Sequence, residues 1–231
     1  MNADQHVQLE LVPLNGSPFT IDYAGDLAEF FFRANASSVG PNAYDERVLK
    51  GIEPNRIIPG DVTAVNQTMA ARTSYKHWKV FTDAVVDESW LTALDPGWDL
   101  YAMAEKEWLQ DDVHEHLGVA FKAVIGSYRR PAVTTKVLHI KRPRLIPVCD
   151  SYVTRTMGVE LWDSAGLLGL VTHLREQGQV NLEALLAIQA RLNEIGIERT
   201  LVRILDALLW MRGNERGEYT VFAQWLRETC R

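Results

Sequence analysis

The chain has 231 residues, 47% of them apolar and 23% charged, with a net charge of −6. That is the composition of a globular protein with a sizeable core, not of a disordered or membrane-spanning one. Only two cysteines are present, Cys149 and Cys230, which excludes a disulfide framework and a four-cysteine iron–sulfur site, so reduced thiols are expected.

The first residues, MNADQHVQLELV, contain neither a basic n-region nor an apolar h-region, so a cytoplasmic protein without membrane attachment is expected. The stretch VQLELVPLNGSPFTIDY alternates in part and carries Asn15-Gly16, a signal for a short β-hairpin. Asp26 to Asn35 reads as a helix with a heavy aromatic face. Residues 36 to 60, with Gly40-Pro41, Pro54 and Pro59-Gly60, read as loops. Asp61 is placed to cap a helix over DVTAVNQTMAAR. Helical patterns follow over about 75–86 and 99–110, and then through VAFKAVIGSY.

Arg130-Pro131 breaks the pattern before a second helix, AVTTKVLHI. Pro143 and Pro147 make the next segment a non-helical connector. A short helix over SYVTRTM is expected to start at Asp150, followed by helices over about 164–176, 181–195 and 198–211. In the last of these, Leu201, Ile204, Leu205, Leu208 and Leu209 form a core-facing stripe. The expected fold is mainly α with a possible small N-terminal β-hairpin.

Charge is polarised along the chain. Residues 117 to 149 carry Lys122, Arg129, Arg130, Lys136, Lys141, Arg142 and Arg144 and no acid, a window of +7 that leaves −13 for the rest. Asp150 ends the window, directly after Ile146-Pro147-Val148-Cys149. Such a distribution suits one face that meets an anion, or else a solvated basic surface.

The order helix, Arg129-Arg130-Pro131, helix with Thr134-Thr135-Lys136, Pro-bounded connector, then Pro147-Val148-Cys149-Asp150, Val153 and Arg155 resembles the helix-hairpin-helix DNA glycosylase superfamily. That resemblance covers about residues 122 to 158. Over most of its length the chain resembles a family of uncharacterised bacterial proteins with a K-x-L-x-x-K-R-P-R-L-I-P-V-x-D pattern, here KVLHIKRPRLIPVCD. The glycosylase resemblance implies two helical lobes with a cleft. One would span about 61–160 and hold the hairpin and catalytic residue; the other would combine 1–60 with 161–231. It also implies double-stranded DNA with a flipped, modified base as partner, and a monomer with no cofactor.

The residue roles come with the resemblance. Asp150 would be catalytic. Asn66 and Gln67, in Ala64-Val65-Asn66-Gln67-Thr68, look like the signature whose side chain enters the duplex beside the extruded base. Arg129, Arg130, Lys136, Lys141, Arg142, Arg144 and Arg155 would hold DNA, and Tyr152 would lean on the base, with Tyr44 and Trp78 as further pocket candidates. The hairpin departs from the superfamily: Ser127 to Ala132 lacks the Gly-x-Gly whose amides approach a phosphate. The superfamily's lyase lysine falls near Ala132 or Val133, with Lys136 about a turn away, so a monofunctional enzyme is expected.

The chemistry explains the choice of residue. Breaking an N-glycosidic bond leaves positive charge on the sugar, which a nearby carboxylate stabilises while orienting water. Such a group must stay ionised, and a helix N-terminus favours the anion. The base must leave the stack to be reached. The plainer reading of Asp150 is an ordinary helix N-cap, and the pattern around it favours catalysis. Excision would serve repair or defence against modified phage DNA; the alternative is a non-catalytic DNA-binding protein on the same scaffold. Elsewhere, Asp111 to His116 offers ligand residue types, but His114 and His116 at i, i+2 do not share a helix face. Trp78, Trp90, Trp98 and Trp108 are expected in packing, as is His139.

Overall fold

A computed structural model describes residues 7–34, 41–51, 53–68, 89–110, 112–125, 131–160, 163–214, 220–222 and 224. The alternating N-terminal segment forms strands β1 (Leu9–Leu11) and β2 (Phe19–Ile21), paired antiparallel with Leu9 opposite Ile21 and Leu11 opposite Phe19. Leu9, Leu11 and Ile21 point into the core. The connecting loop is longer than a two-residue turn, because Asn15-Gly16 is used for docking. Leu14 N donates to Met157 O at 3.0 Å, and Asn15 Nδ2 donates to Gly158 O at 2.9 Å.

Helix α1 (Ala24–Ala34) buries Ala24, Leu27, Ala28, Phe31 and Phe32, the i, i+3, i+4 stripe of an amphipathic helix. Helix α2 (Pro41–Leu49) lies where the sequence reads as loop. Gly40-Pro41 looks like a breaker, but proline suits the first helical position, where its missing N–H is not needed. Helix α3 (Pro59–Thr68) begins two residues before Asp61. Asp61 is therefore not the cap itself. It sits in the first turn and reaches back, Oδ2 accepting from Ile58 N at 2.8 Å, the return half of a capping box.

Helix α4 is a single turn (Ser89–Thr92), and α5 covers Glu105–Gln110. The expected helix from Asp99 forms only from Glu105, because Asp99 Oδ1 accepts from Tyr101 N and Ala102 N and makes a turn. Helices α6 (Val113–Ile125), α7 (Pro131–Lys141), α8 (Ser151–Thr156), α9 (Ser164–Val180), α10 (Leu182–Glu194) and α11 (Leu201–Gly213) follow the predicted order. The expected helix over about 75–86 lies outside the described residues, as does Trp78.

The buried apolar side chains make one continuous cluster, with α11 inside it. This helix is covered by α1, α8 and α10, and it is buried all round rather than along one stripe. Among the described residues no helix is long and apolar enough to cross a membrane. The free edge of β1 is closed by side chains at the end of α9 and at its C-cap, Asn181. Asn181 accepts from Glu10 N and donates to Glu10 O, and Gln177 accepts from Val12 N; an edge so occupied offers no template for another chain.

Helix α8 is locked from both ends by close backbone approaches. Gly158 has φ +67°, and a Cβ there would stand 1.9 Å from Asn15 O. Gly158→Ala combines a left-handed backbone with that collision, so it is expected to cost at least about 2 kcal/mol, read as a lowered urea midpoint. An unchanged midpoint would show that the docked loop does not hold α8. At the opposite side a Cβ on Gly213 would lie 2.4 Å from Tyr152 O, so only glycine lets α11 pass so near α8.

Candidate active site

Asp150 is the N-cap of α8, with extended backbone (φ −99°, ψ −175°). Its Oδ1 accepts from Tyr152 N at 3.0 Å and Val153 N at 3.3 Å. Its Oδ2 lies 3.5 Å from Lys136 Nζ. The side chain keeps 11% of its surface exposed, so it is neither solvated nor sealed. One oxygen is thus committed to the helix end and the other faces a lysine.

Lys136 does not project toward solvent as a phosphate ligand would. It is buried on α7, where desolvation pulls its amine below the usual lysine range while Asp150 pushes the other way. Its place about one turn from the superfamily's lysine position does not keep it from the aspartate. The 142–149 connector folds back over α7 and closes the separation in sequence.

That connector is held by side chains from α7 and α11, and α7 itself is tied to α2. Cys149 N donates to Thr135 Oγ1 at 3.1 Å, and Val148 N donates to Asp206 Oδ2 at 3.0 Å. His139 Nδ1 lies 2.6 Å from Ile146 O and donates to it. Tyr44 donates its hydroxyl to Lys136 O. Asp206 is in turn bonded to Arg203, whose Nε also donates to Asp45 Oδ1 at 2.7 Å. All three members of this Asp45–Arg203–Asp206 set are buried. Burial pushes the Asp206 carboxyl up to about 7 against the pull of Arg203. It also pushes the Cys149 thiol well above its usual range, which leaves an inert packing residue.

The remaining predicted site residues separate. Lys141 and Arg142 are not on a DNA-facing surface. Lys141 Nζ is 2.7 Å from Asp61 Oδ2 with both side chains fully enclosed, and it donates to Glu53 O. Arg142, 1% exposed, donates to Leu94 O, Pro54 O, Leu91 O, Lys141 O and Asn55 Oδ1, and burial lowers its guanidinium to about 10. It ties the 53–55 and 91–94 segments to the connector. Arg144 is exposed and paired with Asp99 at 3.0 Å. Among the described cations of the window, Lys136, Lys141 and Arg144 are therefore paired with Asp150, Asp61 and Asp99, and Arg142 is matched mainly by backbone carbonyls. Tyr44 is fully buried and is no pocket wall.

Asn66 is exposed on α3, which packs against α7. The Gln67 side chain, Arg129 and Arg130 lie outside the described residues. Tyr152 and Arg155 are brought together, the Arg155 guanidinium standing 5.5 Å over the Tyr152 ring, but they line a cleft that does not include Asp150. Trp90 and Trp108 are buried, and Trp98 packs partly buried on the core. His139 is enclosed, and its ring stacks on Tyr44. His114 and His116 pack on Trp108 and Trp98, and among the described residues no group of three ligands suited to a metal occurs.

Sequence reading missed the Asp45–Arg203–Asp206 set. The signal was there: Arg203 and Asp206 stand at i, i+3 within the apolar run RILDALLWM, where opposite charges on one buried helix face imply a partnered interior site.

Residues 24–213 match the model of DUF6308, described as a family of unknown function. The chain belongs to that family. The DUF6308 span opens at the first residue of α1 and closes at the last of α11. It holds Asp150, Lys136 and the Arg203 network and leaves out the β-hairpin. No curated protein and no solved structure matches the chain.

Proposed function

We propose that the protein is a DNA N-glycosylase with Asp150 as its catalytic carboxylate, excising a modified base in repair or in defence against phage DNA, in the cytoplasm. The observation that carries this reading is the state of Asp150. It is a mostly buried carboxylate, its side chain 11% exposed, anchored through one oxygen on two helix amides, with the other oxygen left beside a lysine. Asp150 would stabilise the sugar cation as the bond between C1′ and the base nitrogen breaks and its electron pair leaves with the base. It would then take a proton from the water whose oxygen bonds C1′, leaving an abasic site. Arg144 and Arg155, the exposed cations of the predicted set, are the described residues suited to meeting phosphate.

The test compares wild type with Asp150→Asn on duplexes carrying different modified bases, scoring abasic sites. Asparagine still caps α8 but ends the pairing with Lys136, so an unchanged thermal midpoint is checked alongside product. A fall in product of at least about a hundredfold is expected, the usual scale for a positioned acid–base group. Equal product from both proteins would end the catalytic assignment.

A second outcome is favoured by Lys136. An amine 3.5 Å from the carboxylate, with its proton affinity lowered by burial, is placed to attack C1′ in water's stead. Borohydride added during the reaction would then trap a protein–DNA adduct that Lys136→Gln lacks. Product without an adduct would support the monofunctional enzyme.

A further inference from the structure

A cleft of about 670 Å³ opens between β2, α8 and the C-terminal end of α11, lined by Phe19, Tyr152, Arg155, Thr156, Arg212, Gly213 and Asn214. Its volume lies in the range of small-ligand sites. Arg155 and Arg212 line it, and among the described residues no carboxylate does, so its described lining suits an anion. Two aromatic side chains line it as well, so it offers a planar group an apolar wall.

The arginines come from different elements, and Arg155 is fixed by the local fold. Arg155 is held over the Tyr152 ring, and its Nη1 makes a long 3.4 Å bond to Gly213 O. A guanidinium has five N–H donors, so this single long bond leaves Arg155 most of its donor capacity. Tyr152 is braced edge-on by Trp210, ring centroids 5.2 Å apart. Gly213 lets α11 come close enough for Arg212 and Asn214 to share the cleft with Arg155.

We propose that this cleft binds the phosphate of a nucleotide, with Arg155 and Arg212 on the phosphate oxygens and Phe19 and Tyr152 beside the base. Arginine forks match two phosphate oxygens at once, and bases pack on aromatic rings whatever their sequence. The cleft is separate from Asp150, which does not line it, and binding here does not depend on any reaction there. The phosphate could come from a free nucleotide or from a nucleic-acid strand, since both present the same oxygens.

The experiment is calorimetric titration of full-length Asp150→Asn protein, which removes turnover through Asp150, at low salt. The ligands are dAMP, an unphosphorylated five-residue oligothymidylate, and deoxyadenosine as the phosphate-free control. Binding of dAMP or the oligonucleotide, with the nucleoside at least about tenfold weaker, is expected. Introducing Arg155→Gln and Arg212→Gln together should weaken the phosphate-bearing ligand by at least about tenfold. Each single change should give part of that loss with an unchanged thermal midpoint, which separates lost contact from lost fold. Preference for dAMP identifies a free nucleotide, and preference for the oligonucleotide identifies a strand. No binding of either at millimolar concentration, or equal binding by the double variant, would overturn the proposal. The glycosylase reading is judged separately, by abasic-site formation in the wild type.

Discussion

Arg203→Ala is expected to cost about 3–5 kcal/mol of stability, the largest effect of any single change considered for this molecule. Removing the guanidinium strands the Asp206 carboxylate and leaves Asp45 with Arg199 alone, 3.3 Å away, in a space from which water is largely excluded. A buried ion pair broken on one side leaves an uncompensated charge, which costs far more than the intact pair contributes. The loss should spread toward the candidate site. Asp206 also accepts from Val148 N, two residues before Asp150, and Arg203 packs over Phe31 and Phe32. Denaturant unfolding measures the effect, and a loss under about 1 kcal/mol would show that the network is not holding the core. Replacing Arg203 and Asp206 together by apolar residues of similar volume should restore most of the loss, because Asp45 keeps Arg199 and no charge is then stranded. It would leave the Val148 amide without its acceptor, at a cost of about 1–3 kcal/mol.

Acidification should weaken the protein through His139. Burial, reinforced by Arg203, lowers this imidazole from 6.5 to about 4, while its Nδ1–H is held on Ile146 O. In the unfolded chain the same ring takes a proton near 6.5. Between these values the unfolded state binds the extra proton, so the contribution is whole above about pH 6.5. It falls by about 1.4 kcal/mol per unit toward pH 4, roughly 3 kcal/mol in all. Asp206 works in the opposite sense. Its carboxyl, raised from 3.8 to about 7, binds its proton more readily in the folded state, so its contribution falls as pH rises over that range. The wild-type profile alone therefore mixes two slopes. The difference in unfolding free energy between wild type and His139→Asn isolates the first, since Asp206 is common to both. That difference should shrink by roughly 3 kcal/mol from pH 6.5 to pH 4, and a flat difference would sink the assignment of a neutral, enclosed His139.

Both expectations arise from groups that support the Pro147–Asp150 segment, and this changes the meaning of the basic window. An acid-free stretch of seven cations suggested a surface shaped for phosphate. In the fold, Lys136, Lys141 and Arg142 turn inward, to Asp150, to Asp61 and to backbone carbonyls. The acids that meet Lys141 and Arg144, Asp61 and Asp99, lie far away in sequence. What the stretch shares with an anion-binding face is composition, and composition does not record which charges are already matched.

The elements legible from the chain alone were those with local causes. Partial alternation placed the hairpin, and the aromatic face of Asp26 to Asn35 placed α1. Asp150 was read as the cap of α8 because its side chain bonds amides only two and three residues ahead. Proline misled where its role is positional, at Pro41, which opens a helix rather than ending one. The partners of Lys136, Arg142, Arg203 and Asp206 were not legible. Each is set by packing between segments distant in the chain, and a charged side chain carries no mark of whether water or a buried counter-charge will receive it. The sequence by itself determined the order of α6 to α11, the hairpin and the cap at Asp150, because short-range hydrogen bonds and periodic burial decide these. Only the tertiary structure decided which cations serve the interior, which lysine meets Asp150, and where two arginines and two aromatic rings enclose a cleft, because each follows from how distant helices cross.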